Sequence, residues 1–400
     1  MATATPRSGK NGQTAPRSPG RPYDGSYPGL DDKVKAVLCE PRLEGLLARH
    51  DGFFDDFMAS LGSTLRAAFG AGDPRALFQA HKSLYFLYED NLRTPIEGAG
   101  VNQLHPFVIR IRNEIEAAWE RHELRRVDLR ADRIPADPAA FTRYFVEHCR
   151  AHRLSRHPLF DFLEHRATRR DLIEFFLAES TMVSRFTDLV VLSMVGARDE
   201  IRGEMADNFW DEMGRGHPEA RHLAQFRGLL RYAGVNDDGD NLPPDHFVDR
   251  LEWAGLAGYN LYLFLLLHRR NYFRSLGNIG SGEFMDPAQA ARIVRGCHRV
   301  GFNDEQALSY YLGHVETDVA HGDGWMAHVM LPLLKRRPEA RYDMVLGAEM
   351  RMNTAADYYD CLLARLDSGA AGRTAAPALR MRPEKAAAFD APSQNGEARG

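Results

Sequence analysis

Two imidazoles and a carboxylate occur at helical spacing in the stretch Gly313-His-Val-Glu-Thr-Asp-Val-Ala-His-Gly-Asp-Gly-Trp325. His314, Asp318 and His321 are four and three residues apart, so on an α-helix their side chains lie on one face. Neighbouring positions on that face are apolar or aromatic, which indicates burial. Buried ionisable groups without partners destabilise a fold by several kcal/mol, and a divalent cation removes that cost by binding them. The spacing therefore predicts a metal site; the alternative is a solvated face on which the pattern occurs by chance.

Helical periodicity extends from this stretch through most of the 400-residue chain, and no run of alternating β-branched residues competes with it. We therefore expect an all-α protein. Residues 1–30 are rich in Pro, Gly, Ser, Arg and Lys and have almost no apolar content, which predicts a disordered leader. Residues 368–400 are rich in Ala, Pro, Gly and Arg and lack periodicity, which predicts a disordered tail. A basic stretch with several prolines, residues 125–138, connects a first helical block to a second one at 139–366.

The first helical block, residues 31–130, has helix patterns at Asp32–Arg49, Phe53–Phe69, Pro74–Glu89 and Pro106–Glu123. Its histidines are spread over different segments, so they do not indicate a site. We assign this block to packing or to dimerisation.

Glu179 interrupts the apolar stripe of a helix that the periodicity predicts over Asp171–Val195. The other members of the stripe are Leu172, Phe175, Phe176, Met182, Val183 and Phe186. A glutamate on such a face is rarely buried without a partner. Glu179 is therefore a candidate metal ligand, and the alternative is a core salt bridge to an arginine.

A third group of ligand-type residues is Glu212, Glu219 and His222, which are seven and three residues apart. On a continuous helix they would share one face. The glycines between them and Pro218 instead predict a kink or a restart of the helix. Glu212 and His222 are candidate ligands, whereas Glu219 is either a further ligand or a first-turn acid that complements the helix dipole.

Three carboxylates and three imidazoles on three helical segments form the candidate ligand set: Glu179, Glu212, His222, His314, Asp318 and His321. Oxygen and nitrogen ligands without thiolate suit iron or manganese better than structural zinc, and carboxylates can bridge two ions. Helical bundles build dinuclear sites from such residues. Six ligands for two ions leave open coordination positions, which favours iron that reacts with O2.

These motifs resemble those of the heme-oxygenase-like diiron oxidases and oxygenases, often called iron-containing redox enzymes. The matching parts are Glu179, the Asp-Glu-x-Gly-x-Gly-x5-His segment from Asp211 to His222, and the His-x3-Asp-x2-His-Gly segment from His314 to Gly322. The resemblance covers about residues 139–366. It implies a seven-helix heme-oxygenase-like bundle that holds two iron ions and no heme. The block before it resembles the dimerising helical domain of the N-oxygenating members, which implies a homodimer.

The resemblance also implies a reaction. Two Fe(II) ions would react with O2 through a peroxo-diiron(III) intermediate, with an external electron donor as the reductant. The substrate would be a small amine or an amino-acid-derived natural-product precursor, and N-oxygenation is the favoured outcome. One alternative is desaturation or oxidative C–C cleavage of an amino acid or a fatty acid. Another is a non-catalytic bundle that binds heme or metal, although one axial histidine would suffice for a heme.

Further candidates concern the surroundings of the metal ligands. The apolar segment Trp253–Leu276 carries Tyr259, Asn260 and His268, and together with Tyr311 these are candidate substrate-pocket residues. Ordinary core packing is the alternative for them. Glu283 is a further ligand, an acceptor that orients a ligating imidazole, or a surface residue.

Composition limits the partners and the location of the chain. It is 44% hydrophobic and 26% charged with a net charge of −4, so it lacks the basic field that nucleic acid binding requires. The longest apolar run, Leu261–Leu267, is too short to span a membrane. Four isolated cysteines and the lack of a secretory signal predict a reducing, cytoplasmic environment.

Overall fold

The computed structural model describes most of the chain, namely residues 27–49, 52–93, 101–235 and 244–368, but not the side chains of 49, 244–247 and 316–320. The described residues contain no β-strand, which confirms the all-α class. None of their helices combines the length and the apolar content that crossing a membrane would require. The predicted leader and tail lie outside the described residues, except for 27–30 and 368. The chain divides into two compact units, Met1–Arg126 and Val127–Gly400.

The described residues of the first unit form five α-helices: α1 Leu30–Cys39, α2 Leu43–Arg49, α3 Phe53–Leu65, α4 Pro74–Glu89 and α5 Pro106–Arg125. The single helix predicted over Asp32–Arg49 was wrong, because the chain breaks between α1 and α2. Glu40, which precedes Pro41, has an extended backbone with φ −74° and ψ 111°. Proline disfavours the helical conformation of the residue before it, and this explains the break.

His81 is buried inside the first unit, between the rings of Phe69 and Trp119 at centroid distances of 5.7 and 5.1 Å. Burial lowers the pKa of His81 from 6.5 to about 3. The imidazole is therefore neutral in the folded protein at neutral pH, and unfolding lets it bind a proton once the pH is below 6.5.

We expect acid to destabilise the first unit through His81. Because the folded pKa lies below the ordinary value, stability falls as the pH falls from 6.5 towards 3, by up to about 1.4 kcal/mol per pH unit. His81→Leu should make this dependence shallower, as measured by denaturant unfolding between pH 7 and pH 5. His165→Leu removes an exposed histidine and should leave the slope unchanged. Equal slopes for His81→Leu and the wild type would contradict the assignment.

The second unit has ten α-helical segments among its described residues: α6 Pro138–Ala151, α7 Pro158–His165, α8 Arg169–Met194, α9 Asp199–Glu212, α10 His222–Tyr232, α11 Glu252–Leu267, α12 Tyr272–Arg299, α13 Ser309–Gly324, α14 Leu331–Arg336 and α15 Arg341–Asp367. Short breaks divide the bundle into more segments than seven. A π-helical turn, Trp325–Met330, joins α13 to α14. A capping box, Thr168 with Asp171, starts α8 close to where the periodicity predicted.

The core of the second unit lies between α7, α8, α10, α12, α13 and α15. Fully buried side chains from these helices meet there, among them Leu163, Phe176, Leu229, Cys297 and Leu308. Any polar side chain on an inward face of these helices is therefore removed from bulk water, and it needs a partner or a ligand.

The backbones of α12 and α15 touch where the two helices cross. A Cβ atom added at Gly277 would lie 1.7 Å from the carbonyl oxygen of Met344, and one added at Gly347 would lie 1.9 Å from that of Arg274. Both glycines are needed because any side chain would overlap the opposite backbone. The crossing fixes the distance between the two helices.

We expect Gly347→Ala to force α12 and α15 apart. Overpacking of this kind typically costs about 1–3 kcal/mol of the free energy of unfolding, and denaturant unfolding followed by circular dichroism would measure it. Gly203→Ala in α9 is the matched control, because no atom lies within 4 Å of its added Cβ. The control should be neutral or stabilising, by up to about 1 kcal/mol. Similar effects of both substitutions would contradict the role of the crossing.

Candidate metal centre

Glu212, His222 and His314 bring three ligand atoms within 4.8 Å of one another. Glu212 is the last residue of α9, His222 is the first residue of α10, and His314 lies in α13. His222 Nδ1 is 2.9 Å from Glu212 Oε1, and the two imidazole rings are 4.7 Å apart between centroids. Three residues of the predicted ligand set thus converge at one point.

The turn between α9 and α10 places the first two of these ligands. Gly214, Arg215 and Gly216 all have positive φ, at 64°, 50° and 90°. A Cβ at Gly214 would lie 2.5 Å from the carbonyl carbon of Ala220, so only glycine fits this position. The predicted interruption of the helix is confirmed, although α10 restarts at His222 and not at Pro218.

The polar atoms of this cluster fit a metal ion. His222 Nδ1 is buried and has no hydrogen-bond partner among the described residues, because its contact with Glu212 has the distance but not the orientation of a hydrogen bond. His314 Nδ1 lies 2.6 Å from the carbonyl oxygen of Tyr310, so its N–H donates there and Nε2 is left for a ligand. Burial, followed by the nearby His222, lowers the pKa of His314 and keeps the imidazole neutral. Neutral imidazoles and a carboxylate suit divalent iron.

His321 lies in a second polar group on α9, α12 and α13. Its Nε2 is 2.9 Å from Asp211 Oδ2, and its Nδ1 is 3.8 Å from Glu283 Oε2. Arg215 also donates to Asp211. Burial acts to raise the pKa of Asp211, but the hydrogen bonds from Arg215 and His321 outweigh it and leave this pKa below its ordinary value. Asp211 thus holds His321 as an ionised acceptor.

Glu179 faces the same part of the core from α8. Its Oε1 accepts a hydrogen bond of 2.9 Å from the hydroxyl of Tyr358, so its partner is a tyrosine and not the arginine of the alternative interpretation. Burial raises the pKa of Glu179 to about 7, and the hydrogen bond from Tyr358 opposes this shift. The carboxylate of Glu179 is not part of the three-ligand cluster.

The remaining candidate ligands are Asp318, Glu219 and Glu283. Asp318 lies in α13, but its side chain is outside the described residues. Glu219 is 75% exposed in the turn Pro218–Ala220, and its nearest charged neighbour is the equally exposed His217 at 3.9 Å. The turn directs Glu219 to the surface, away from the three-ligand cluster, and Glu219 precedes α10, so it is not an acid of that helix's first turn either. Glu283 faces His321, as an orienting acceptor would.

A cavity of about 200 Å³ lies beside the cluster, between α8, α11, α12, α13 and α15. Glu179, Glu212, Glu283, His314 and His321 line it, together with Tyr259 and Tyr311. Its other walls are mostly apolar. The cavity is therefore the place where a small molecule can approach the metal cluster.

Two predicted pocket residues do not line this cavity. Asn260 follows Tyr259 in α11, so its side chain points about 100° away around the helix and is fully buried elsewhere. His268 ends α11 and packs on the ring of Phe264 at 5.2 Å. Asn260 and His268 were therefore wrong as pocket residues.

Sequence reasoning missed Asp211, Asp286 and Arg351. Asp211 stands inside the quoted motif next to Glu212, but its contact with His321 joins positions 110 residues apart. Asp286 and Arg351 form an ion pair on the cavity wall, with Arg351 Nη2 at 3.1 Å from Asp286 Oδ2. An acid on α12 and a base on α15 give no local signal of such a pair.

Residues 173–356 match the family model described as iron-containing redox enzyme. This part of the chain is similar to that family. The matched segment contains every candidate metal ligand from Glu179 to His321. No curated protein matches the chain.

Solved structures similar to this chain include two of a CadD-like protein of unknown function from Nostoc punctiforme PCC 73102. The first has 15% sequence identity and a TM-score of 0.46, and the match covers 56% of this chain and 96% of that one. The second has 15% identity and a TM-score of 0.44, with coverage of 57% and 94%. Similarity at this level carries no argument about activity.

We expect His222→Ala to weaken iron binding by at least about 100-fold, since even the loss of a residue that only supports a ligand costs about 10–100-fold. Anaerobic Fe(II) titration against a coloured chelator would measure the affinity. His217→Ala is the matched control, because His217 is five residues earlier and 74% exposed. Equal affinities of His222→Ala and His217→Ala would contradict the assigned cluster.

Proposed function

We propose that this protein is a non-heme diiron enzyme that uses O2 to oxidise a small amine or an amino-acid-derived precursor, with N-oxygenation as the reaction. The observation that carries the proposal is the convergence of Glu212, His222 and His314 beside a largely apolar cavity, which Glu212 and His314 line. The cluster lies within the segment that is similar to the iron-containing redox enzymes.

One iron would be held by Glu212, His222 and His314. A second would draw on His321 and Asp318, with Glu179 as a further carboxylate, which is the inward-facing ligand chemistry of dinuclear helical bundles. The iron supplies the binding and reduction of O2, and an external electron donor returns it to the ferrous state. The donor set contains no thiolate, which favours iron over structural zinc.

The protein's own side chains prepare the cavity for this reaction. Apolar side chains keep bulk water out, among them Phe175, Met182, Val183, Phe186, Ile279 and Ile293. Burial raises the pKa of Glu179 to about 7, so an ion that binds this carboxylate near neutral pH would displace a proton from it. Tyr358 donates to Oε1 of Glu179 and so fixes the direction of that carboxylate.

A heme-binding or metal-storing bundle is the alternative from a different class. A heme needs one axial histidine, whereas the cluster beside this cavity brings two imidazoles and a carboxylate to a single point. A storage site has no use for an adjoining apolar cavity. Both features favour catalysis.

The decisive experiment is anaerobic titration of the purified chain with Fe(II), followed by addition of O2. We expect about two irons per chain, as in other dinuclear carboxylate bundles, and a transient absorption in the visible range once O2 is added. His222→Ala should lose both signals and His217→Ala should keep them. Binding of one heme per chain, or iron binding without any reaction with O2, would contradict the proposal.

Product analysis separates the possible oxidations. N-oxygenation adds an oxygen atom from O2 to a nitrogen of the substrate, whereas desaturation removes two hydrogen atoms and C–C cleavage divides the carbon skeleton. Mass spectrometry with isotopically labelled O2 distinguishes these outcomes. If no labelled oxygen were bound to a nitrogen of the product, N-oxygenation would be wrong, but the assignment of a diiron enzyme would not be affected.

A further inference from the structure

The cavity also has polar wall residues on α12 and α15 that are not candidate metal ligands. Gly282, Asp286 and Gln289 follow one another at helical spacing on α12, so their positions share one face. Arg351 lies on α15, the helix that crosses α12 with its backbone in contact. Asp286, Gln289 and Arg351 all line the cavity, and none of them belongs to the candidate ligand set.

Arg351 is held in place but retains a free donor. Its Nη2 donates to both oxygens of Asp286, at 3.2 and 3.1 Å, and its Nε donates to the hydroxyl of Tyr262 at 3.0 Å. Nη1 has no hydrogen-bond partner among the described residues. Gly282 makes room for this guanidinium, since a Cβ there would lie 3.0 Å from Nη2. Arg351 is thus a preorganised guanidinium with one donor group still to be used.

Gln289 provides a second unused donor. Its side chain is buried, at 8% exposure, and its Oε1 accepts a hydrogen bond of 3.3 Å from the hydroxyl of Tyr359. Its Nε2 is buried and lacks a hydrogen-bond partner among the described residues. A buried amide without a partner is costly, so this donor calls for an acceptor from a ligand in the cavity.

Asp286 determines the charge that this wall accepts. It is 41% exposed and neutralises Arg351, so the pair carries no net charge. A ligand with only a carboxylate would bring a second negative charge close to Asp286 and would be repelled. A ligand with only an ammonium group would bring a second positive charge close to Arg351 and would also be repelled. A zwitterion satisfies both members of the pair and keeps the wall neutral.

We propose that Asp286, Gln289 and Arg351 bind the head group of an α-amino acid. Arg351 and Gln289 donate to the α-carboxylate, since a guanidinium is the preferred partner of a carboxylate. Asp286 accepts from the α-ammonium group. This inference rests on the proposed function, because it takes the cavity beside the metal cluster as the substrate site. It narrows the substrate from small amines and amino-acid-derived precursors to free amino acids.

The rest of the cavity agrees with an amino acid. Its volume of about 200 Å³ is below the range of about 300–1,000 Å³ that is usual for drug-sized ligands. Apolar side chains such as Met182, Val183 and Ile293 surround the space that the head group leaves free. The head group binds at the pair, and the amino-acid side chain, which would carry the nitrogen that is oxygenated, extends through this space to the metal cluster.

Calorimetric titration of the full chain with each of the twenty L-amino acids, at millimolar concentration, tests the proposal without iron or turnover. We expect at least one of them to bind to the metal-free protein. Its α-carboxamide and its N-acetyl derivative should each bind at least about tenfold more weakly, because each loses a charged partner. Failure of all twenty to bind, or equal binding of the acid and both derivatives, would overturn the proposal.

Variants assign the two halves of the head group. Arg351→Gln should weaken binding of the amino acid by at least about tenfold but change binding of its carboxamide little. Asp286→Asn should also weaken binding of the amino acid by at least about tenfold, but it should change binding of the N-acetyl derivative little. Arg153→Gln is the matched control: Arg153 is 48% exposed, pairs with Asp357 and Asp360 on α15, and does not line the cavity. If a folded Arg351→Gln or Asp286→Asn variant lost the same factor of affinity for the amino acid, its carboxamide and its N-acetyl derivative, the assignment would be overturned.

The two proposals fail in different ways. If a free amino acid binds with this selectivity but the chain takes up no iron, the proposed oxygenase function is wrong and the head-group site stands. If the chain binds iron and reacts with O2 but no amino acid binds, the head-group site is wrong and the diiron assignment stands. Arg351→Gln should weaken Fe(II) binding far less than His222→Ala does, because Arg351 is not a candidate ligand, and this separates the head-group site from the metal cluster.

Discussion

The backbone contact between α12 and α15 determines how the second unit can bind a ligand. Gly277 and Gly347 let the two helices approach until each backbone touches the other. At that distance the side chain of Arg351 reaches Asp286, and Tyr358 reaches Glu179 on α8. A wider crossing would separate these pairs and leave charged groups buried without partners. Gly277 and Gly347 therefore determine how the polar side chains of α12 and α15 are positioned on the cavity wall.

The chemistry of the cavity follows from groups that are expensive to bury. His222 Nδ1 and Gln289 Nε2 are both buried without hydrogen-bond partners among the described residues. Such atoms are uncommon in folded proteins and mark sites where another species completes the bonding. The first faces ligand-type residues and suits a metal ion, whereas the second faces an ion pair and suits an organic acceptor. The same physical argument thus assigns different occupants to two parts of one cavity.

Helical periodicity was sufficient to predict the fold class, the inward position of Glu179 and the break after Glu212. These features depend on local spacing and on the backbone preferences of Gly and Pro, which a sequence states directly. The break between α1 and α2 could also have been predicted, because Pro41 lies there. Our prediction gave more weight to the apolar periodicity across Pro41 than to the proline itself. The exposure of Glu219 required the turn geometry, because on a continuous helix the same spacing would turn it inward.

The contacts across helices could not be predicted in this way. Asp211 with His321, and Asp286 with Arg351, join residues 110 and 65 positions apart. Each of these charged residues alone is of a type that is common on the solvent-exposed surface of a helix. Only the packing of four helices brings them to one cavity, and the identity of the partner decides whether a carboxylate orients an imidazole or neutralises a guanidinium.

The turn from Met213 to Arg221 places Glu212 and His222 so that they would chelate a metal ion from the two ends of a single short loop. Its three consecutive residues with positive φ fold the loop back on itself, so both ligand atoms face one point before any ion is present. The entropy of bringing these two ligands together is lost when the chain folds and not when the metal binds. The third ligand, His314, comes from a separate helix. Changes in the packing of α13 will therefore alter the coordination number at this ion while the two-ligand chelate on the loop persists.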